Sequence, residues 1–133
     1  MKRGPNTDKA TGQRPLVLGY AACSTCKRAL RWFSEHGIAV DERAIVDEAP
    51  TASELARWIP KSGRTVRKWL NTSGQSYRAL GKAKIDAASD DELATWLTRD
   101  GKLVKRPVVV TDDRVLVGFD EDEYARAFGE RRR

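Results

Sequence analysis

Apolar and polar positions change their period several times along the chain, and each change marks an element. Leu16-Val17-Leu18-Gly19-Tyr20 is a short unbroken apolar run, which suits a strand covered on both faces. From Cys26 the apolar positions Ala29, Leu30 and Phe33 recur at helical spacing, and His36-Gly37 supplies the stop. Val40 to Ile45 reads as a second strand. Strand, helix and strand make a βαβ unit, hence a parallel pair joined by a right-handed crossover.

The stretch that follows is helical. Thr51-x-x-Glu54, Ser89-x-x-Glu92 and Asp120-x-x-Glu123 each place a capping oxygen three residues ahead of an acid that reaches back to the cap. The periodic residues after them predict inward faces of Leu55, Trp58 and Ile59, of Leu93, Trp96 and Leu97, and of Tyr124, Ala125 and Phe128. Thr65 to Leu70 reads as a shorter helix, stopped by the turn formers Asn71-Thr72-Ser73-Gly74. Pro107 to Val110 and Val115 to Phe119 are apolar runs joined by four polar residues, a connection of hairpin length that predicts an antiparallel pair. The expected order is β-α-β, a helical insertion at about 46–102, then β-β-α: a four-stranded mixed sheet flanked by helices, of α/β class.

Composition fits one domain over 15–129. The chain has 133 residues, 40% hydrophobic and 33% charged, which disfavours disorder. Residues 1–14 have neither period and are expected to be a flexible tail or expression remnant, and 130–133 a basic tail. No apolar run reaches the roughly 18 residues of a membrane span, and the first residues lack a signal peptide's apolar region, so a cytoplasmic protein is expected. Most of the formal charge of +6 sits in the tails, although Arg57, Lys61, Arg64, Arg67, Lys68, Arg78, Lys82 and Lys84 run without an intervening acid. That run reads as a solvated face or as a docking surface for an anionic partner. The tryptophans Trp32, Trp58, Trp69 and Trp96 sit at helix positions that suit packing rather than base stacking, and His36 suits a helix cap. Neither direct nucleic-acid binding nor membrane binding is expected, and a monomer is.

Cys23-Ser24-Thr25-Cys26 carries the chemistry. At a strand-to-helix junction the first sulfur meets unpaired backbone N–H groups and the positive end of the helix dipole, which favour thiolate. A cysteine of pKa about 8.5 is only about 3% ionised at pH 7, and one lowered to about 6 is about 90% ionised. Residues three apart on a helix are neighbours that a disulfide can bridge, so Cys23 is assigned as nucleophile and Cys26, which starts the apolar stripe, as the buried resolving thiol. The competing readings are a zinc site, for which two Cys and one His offer too few ligands, and a chance pair of buried cysteines. Arg106, just before Pro107, reads alone as a surface ion pair; held beside the sulfur it would stabilise the anion and grip an anionic substrate.

With Cys23-x-x-Cys26, Asn71-Thr72-Ser73-Gly74-x-x-Tyr77-Arg78-x-Leu80-Gly81 and Leu103-x-x-Arg106-Pro107 in this order, the chain resembles the arsenate reductase (ArsC) and Spx-like family of thioredoxin-like fold, in its CxxC-bearing branch. The resemblance implies Cys23 as the nucleophilic position, Arg106 as the site arginine and Pro107 as a cis-proline facing the cysteine loop. Ser24, Thr25, Asn71, Arg106 and Pro107 form the implied substrate-binding set. No bound cofactor or metal is implied; glutathione, thioredoxin or glutaredoxin would donate electrons. The family's oxyanion-binding arginine triad is reduced here to Arg106, with Asn71 and Gly118 at the other two positions, which removes most of the charge for holding arsenate. The expected activity is a thiol-disulfide oxidoreductase, the alternative a redox-switched regulator docking on the RNA polymerase α-subunit, and arsenate reduction a third.

Overall fold

A computed structural model describes residues 14–129. The tails expected at 1–14 and 130–133 lie outside it, apart from Arg14, whose guanidinium sits 3.6 Å from the Asp41 carboxylate. Four strands, β1 (Leu16–Gly19), β2 (Asp41–Ala44), β3 (Val108–Val110) and β4 (Val115–Val117), form one sheet in the order β2-β1-β3-β4. β1 pairs parallel with β2, Leu16 opposite Asp41, and antiparallel with β3, Leu16 opposite Val110. β3 and β4 form the antiparallel hairpin, Val109 opposite Leu116. The sheet and its flanking helices α1 (Ser24–Glu35), α2 (Ala52–Ser62), α3 (Gln75–Leu80), α4 (Lys82–Ala87), α5 (Asp90–Arg99) and α6 (Glu121–Phe128) have the expected α/β arrangement.

Successive side chains of a strand point to opposite faces, and here that alternation divides the core in two. Leu16, Leu18, Val108, Val110, Val115 and Val117 pack with Leu55, Trp58, Trp69, Leu93 and Leu97 of the segment between β2 and β3. Val17, Val109 and Leu116 meet Ala29, Trp32 and Phe33 of α1 and Tyr124 and Phe128 of α6. β2 is the polar edge, Asp41-Glu42-Arg43-Ala44, with half-buried and exposed residues alternating.

Two of the three expected capping boxes form, and at Asp120 only the cap oxygen's half is present, Glu123 turning to Arg64 instead. Thr51 and Ser89 form reciprocal capping boxes with Glu54 and Glu92. Asp120 accepts from the N–H groups of Asp122 and Glu123. His36 Nδ1 lies 2.8 Å from Trp32 O at the end of α1, its ring stacked on Trp32. The inward face of α6 differs from expectation, because Ala125 is exposed and Ala127 packs against the core. Tyr124 and Phe128, one turn apart, fix the buried line, and the two alanines flank it on opposite sides with too little apolar area to decide the roll. Ile59 and Trp96 are only half-buried. The short helix expected at 65–70 is a 3-10 turn, Val66–Trp69, after which the chain straightens.

That straightening joins two distant motifs. Leu70 and Val104 form an antiparallel bridge. Asn71 N–H donates to Leu103 O at 2.8 Å, and Lys105 N–H to Trp69 O at 2.7 Å. The Asn-Thr-Ser-Gly turn and the Arg106-Pro107 strand entry are thereby held side by side. Gly101 lies against the Ile45–Val46 backbone so closely that a Cβ would collide with Ile45 O.

Candidate functional site

The site assembles where β1 turns into α1. Cys23 is the N-cap of α1, in extended conformation, its own N–H bonded to Tyr20 O at 2.9 Å. Its Sγ accepts from the Cys26 N–H at 3.3 Å, so an orphan donor of the first helical turn is spent on the sulfur. Cys23 is half-buried, whereas Cys26 is 2% exposed.

Their environments push the two thiols apart. Burial works against a Cys23 thiolate, but hydrogen bonds from the Cys26 side chain and backbone and the Arg106 guanidinium outweigh it, and the Cys23 pKa lies below the ordinary thiol value. Burial raises Cys26 to about 12, and the neighbouring Cys23 adds to the rise. The first sulfur is thereby favoured as thiolate relative to an ordinary cysteine, and the second holds its proton.

Arg106 is not the surface ion pair it resembles in isolation. It is half-buried, its Nη1 donates to Lys102 O at 3.2 Å, and its guanidinium carbon lies 5.2 Å from the centre of the Tyr20 ring. Its buried Nε has no hydrogen-bond partner among the described residues. The Arg106–Pro107 peptide bond is cis, as the resemblance implied.

A cleft of about 640 Å³ opens over Cys23. Ser24, Thr25, Asn71 and Arg106 line it. Pro107, expected in the substrate-binding set, is buried and is not among the lining residues; its carbonyl accepts from Gly118 N–H at 2.8 Å and so fixes the start of the opposite wall. Asn71 is clamped by its own contacts, Nδ2 donating to Lys102 O at 3.3 Å and Oδ1 accepting from Ser73 Oγ at 3.3 Å.

Sequence reading missed three cations of the lining: Arg28, Arg64 and Lys105. Arg28 follows Ser24 by one helical turn, a spacing that places both on one face and could have revealed it. Arg64 comes after the left-handed Gly63 cap and reaches Glu123 of α6 at 3.5 Å, a pairing between residues too distant in sequence for local pattern to register. Among the described residues no cluster of three or more His, Cys, Asp or Glu could hold a metal ion, and no helix is long and apolar enough to cross a membrane.

A mixed sheet with an N-capping cysteine, a second cysteine one turn on and a cis-proline at the entry to the neighbouring strand define a thioredoxin-like thiol protein. Within that class the chain belongs to the ArsC family, whose sequence model matches residues 18–127. It is 41% identical over 106 residues to the uncharacterized protein YusI of Bacillus subtilis, covering 79% of this chain and 90% of that one. It is 29% identical over 105 residues to the global transcriptional regulator Spx of Staphylococcus epidermidis, covering 79% of each. An ArsC-family-related protein from Bacteroides fragilis superposes with a TM-score of 0.81 at 45% identity, over 86% of this chain and 98% of that one.

Proposed function

We propose that the protein is a small thiol-disulfide oxidoreductase with Cys23 as nucleophile and Cys26 as resolving thiol. The observation that carries this reading is the Cys23 N-cap, whose Sγ accepts from the Cys26 N–H at 3.3 Å, with the Arg106 guanidinium at the same sulfur and the pKa values of the two thiols pushed in opposite directions. The Cys23 thiolate attacks a substrate disulfide, forming a mixed disulfide and releasing one thiolate. Cys26 gives up its proton and attacks the Cys23 sulfur, closing the internal disulfide and releasing the second thiolate. The substrate gains two electrons and the protein loses two, which a thiol reductant such as glutathione, or a thioredoxin or glutaredoxin, returns. A resolving thiol that stays protonated until the mixed disulfide forms suits this order of events.

Ser24, Thr25 and Asn71 shape the cleft for the substrate, and Pro107 acts by holding Gly118 rather than by contact. Turnover of hydroxyethyl disulfide with glutathione or thioredoxin as reductant, lost in Cys23→Ser, supports the enzyme; no turnover with either reductant contradicts it. The similarity to Spx favours a second reading, a redox-switched regulator docking on the RNA polymerase α-subunit. Stable co-purification with that subunit in the absence of turnover selects it. Arsenate reduction draws less support, because Asn71 and Gly118 line the cleft without a charge.

A further inference from the structure

The cleft over Cys23 holds more positive charge than its own acids neutralise. Arg28, Arg64, Lys105 and Arg106 line it, against Asp120 and Glu123. Asp120 is occupied as the cap of α6, and Glu123 pairs with Arg64. Arg106 faces the Cys23 sulfur. Among the described residues this leaves Arg28 and Lys105 without a carboxylate partner. Neither is idle in placement. The Arg28 guanidinium lies 5.9 Å from the centre of the Phe119 ring, which holds it on the lip of the cleft. The Lys105 stem lies over Gly118, where the absence of a side chain makes room for it: a Cβ there would stand 3.0 Å from Lys105 Cε. The glycine's φ of +87° also disfavours any side chain at that position.

We infer that Arg28 and Lys105 are specificity residues that select disulfides bearing carboxylates next to the reacting sulfur, with the Arg64–Glu123 pair limiting how strongly the cleft attracts them. This rests on the oxidoreductase reading. The anionic group sits between the two unpaired cations while Cys23 attacks the adjacent sulfur, forming the Cys23 mixed disulfide and expelling the other half as thiolate, which takes its proton from solvent. Removing the Glu123 charge frees Arg64 as a third cation.

Single-turnover stopped-flow kinetics on the reduced full chain tests this, with 5,5′-dithiobis(2-nitrobenzoate) as anionic probe and 2,2′-dithiodipyridine as neutral probe. The readout is the ratio of the two rate constants, which cancels any change in thiol reactivity or folding common to both. The ratio is expected to fall about fivefold in the Arg28→Ala/Lys105→Ala double variant, since each of the two exposed charge contacts contributes up to about fivefold. It is expected to rise about twofold in Glu123→Gln, and to fall with added salt in the starting protein more than in the double variant. Rapid reaction of both probes with a ratio unchanged in the double variant overturns the charge selection and leaves the thiol chemistry standing. Reaction of neither probe removes the thiol chemistry and the selection together.

Discussion

Asn71 and Arg106 donate to the same acceptor, the carbonyl oxygen of Lys102, at 3.3 and 3.2 Å. Through that one oxygen the turn after the 3-10 segment and the entry to β3 hold each other at the mouth of the cleft, and the guanidinium that lowers the Cys23 pKa is held in place. Arg106→Ala is expected to raise the Cys23 pKa and to slow alkylation by iodoacetamide at pH 7, by at most about tenfold for each unit of rise and by less where the thiol is already largely ionised. At pH well above both values the two proteins should react at similar rates. Arg106→Lys keeps the charge and should recover part of the loss. A pH–rate profile of all three separates this from a general loss of structure.

Cys26 is expected to act only in the second step. Cys26→Ala should still form the Cys23 mixed disulfide, but the adduct should persist, and intact-mass spectrometry after one equivalent of disulfide should find it. In the unchanged protein the same treatment should end in the internal disulfide with no retained adduct. Burial and the neighbouring sulfur, which hold Cys26 near 12, keep it out of the first step.

Arg43 ties the edge strand to the helical segment. Its guanidinium makes two hydrogen bonds of 2.8 Å to the Glu54 carboxylate, and further bonds to Ala49 O and Glu48 O. Against the cost of burial, these contacts and the Thr51 cap hold the Glu54 pKa below its ordinary value. A carboxylate with a depressed folded-state pKa contributes stability above its unfolded value near 4.5, and that contribution disappears as pH falls through the folded value. Arg43→Ala should therefore cost about 2 kcal/mol at neutral pH, because it leaves a half-buried carboxylate with the Thr51 N–H in place of a bidentate guanidinium. The difference from the unchanged protein should shrink below pH 4.5, in urea titrations at a series of pH values.

Gly101 is expected to tolerate no side chain. A Cβ there meets Ile45 O and the Val46 backbone, which cannot move without disturbing the segment beyond β2. Gly101→Ala should destabilise by about 3 kcal/mol, readable as a fall in urea midpoint with little change in slope. Gly37→Ala, where the same atom would meet nothing within 4 Å, should cost less, limited to the strain of its φ of +69°.

Much of this arrangement was legible because it is local. The Cys23 cap, the Thr51 and Ser89 boxes and the two apolar runs around residues 111–114 are written in neighbouring residues. What escaped depends on contacts distant in sequence. Nothing near Arg64 announces Glu123, and nothing near Lys105 announces the space at Gly118. α3 and α4 carry only six residues each and a single fully buried side chain, Ile85, between them, so their periodicity is too weak to mark them separately. Pro107 entered the substrate-binding set through the family resemblance alone; in this chain it is buried and is not among the residues lining the cleft.

The central claim is that Cys23 loses its proton below the ordinary thiol range while Cys26 holds its own above it. Ultraviolet absorbance titration of the fully reduced protein, with Cys26→Ala and Cys23→Ser run in parallel, measures it directly. A single thiolate should appear below the ordinary thiol range, remain in Cys26→Ala and vanish in Cys23→Ser. A Cys23 that titrates near or above 8.5, like a free cysteine, contradicts the account.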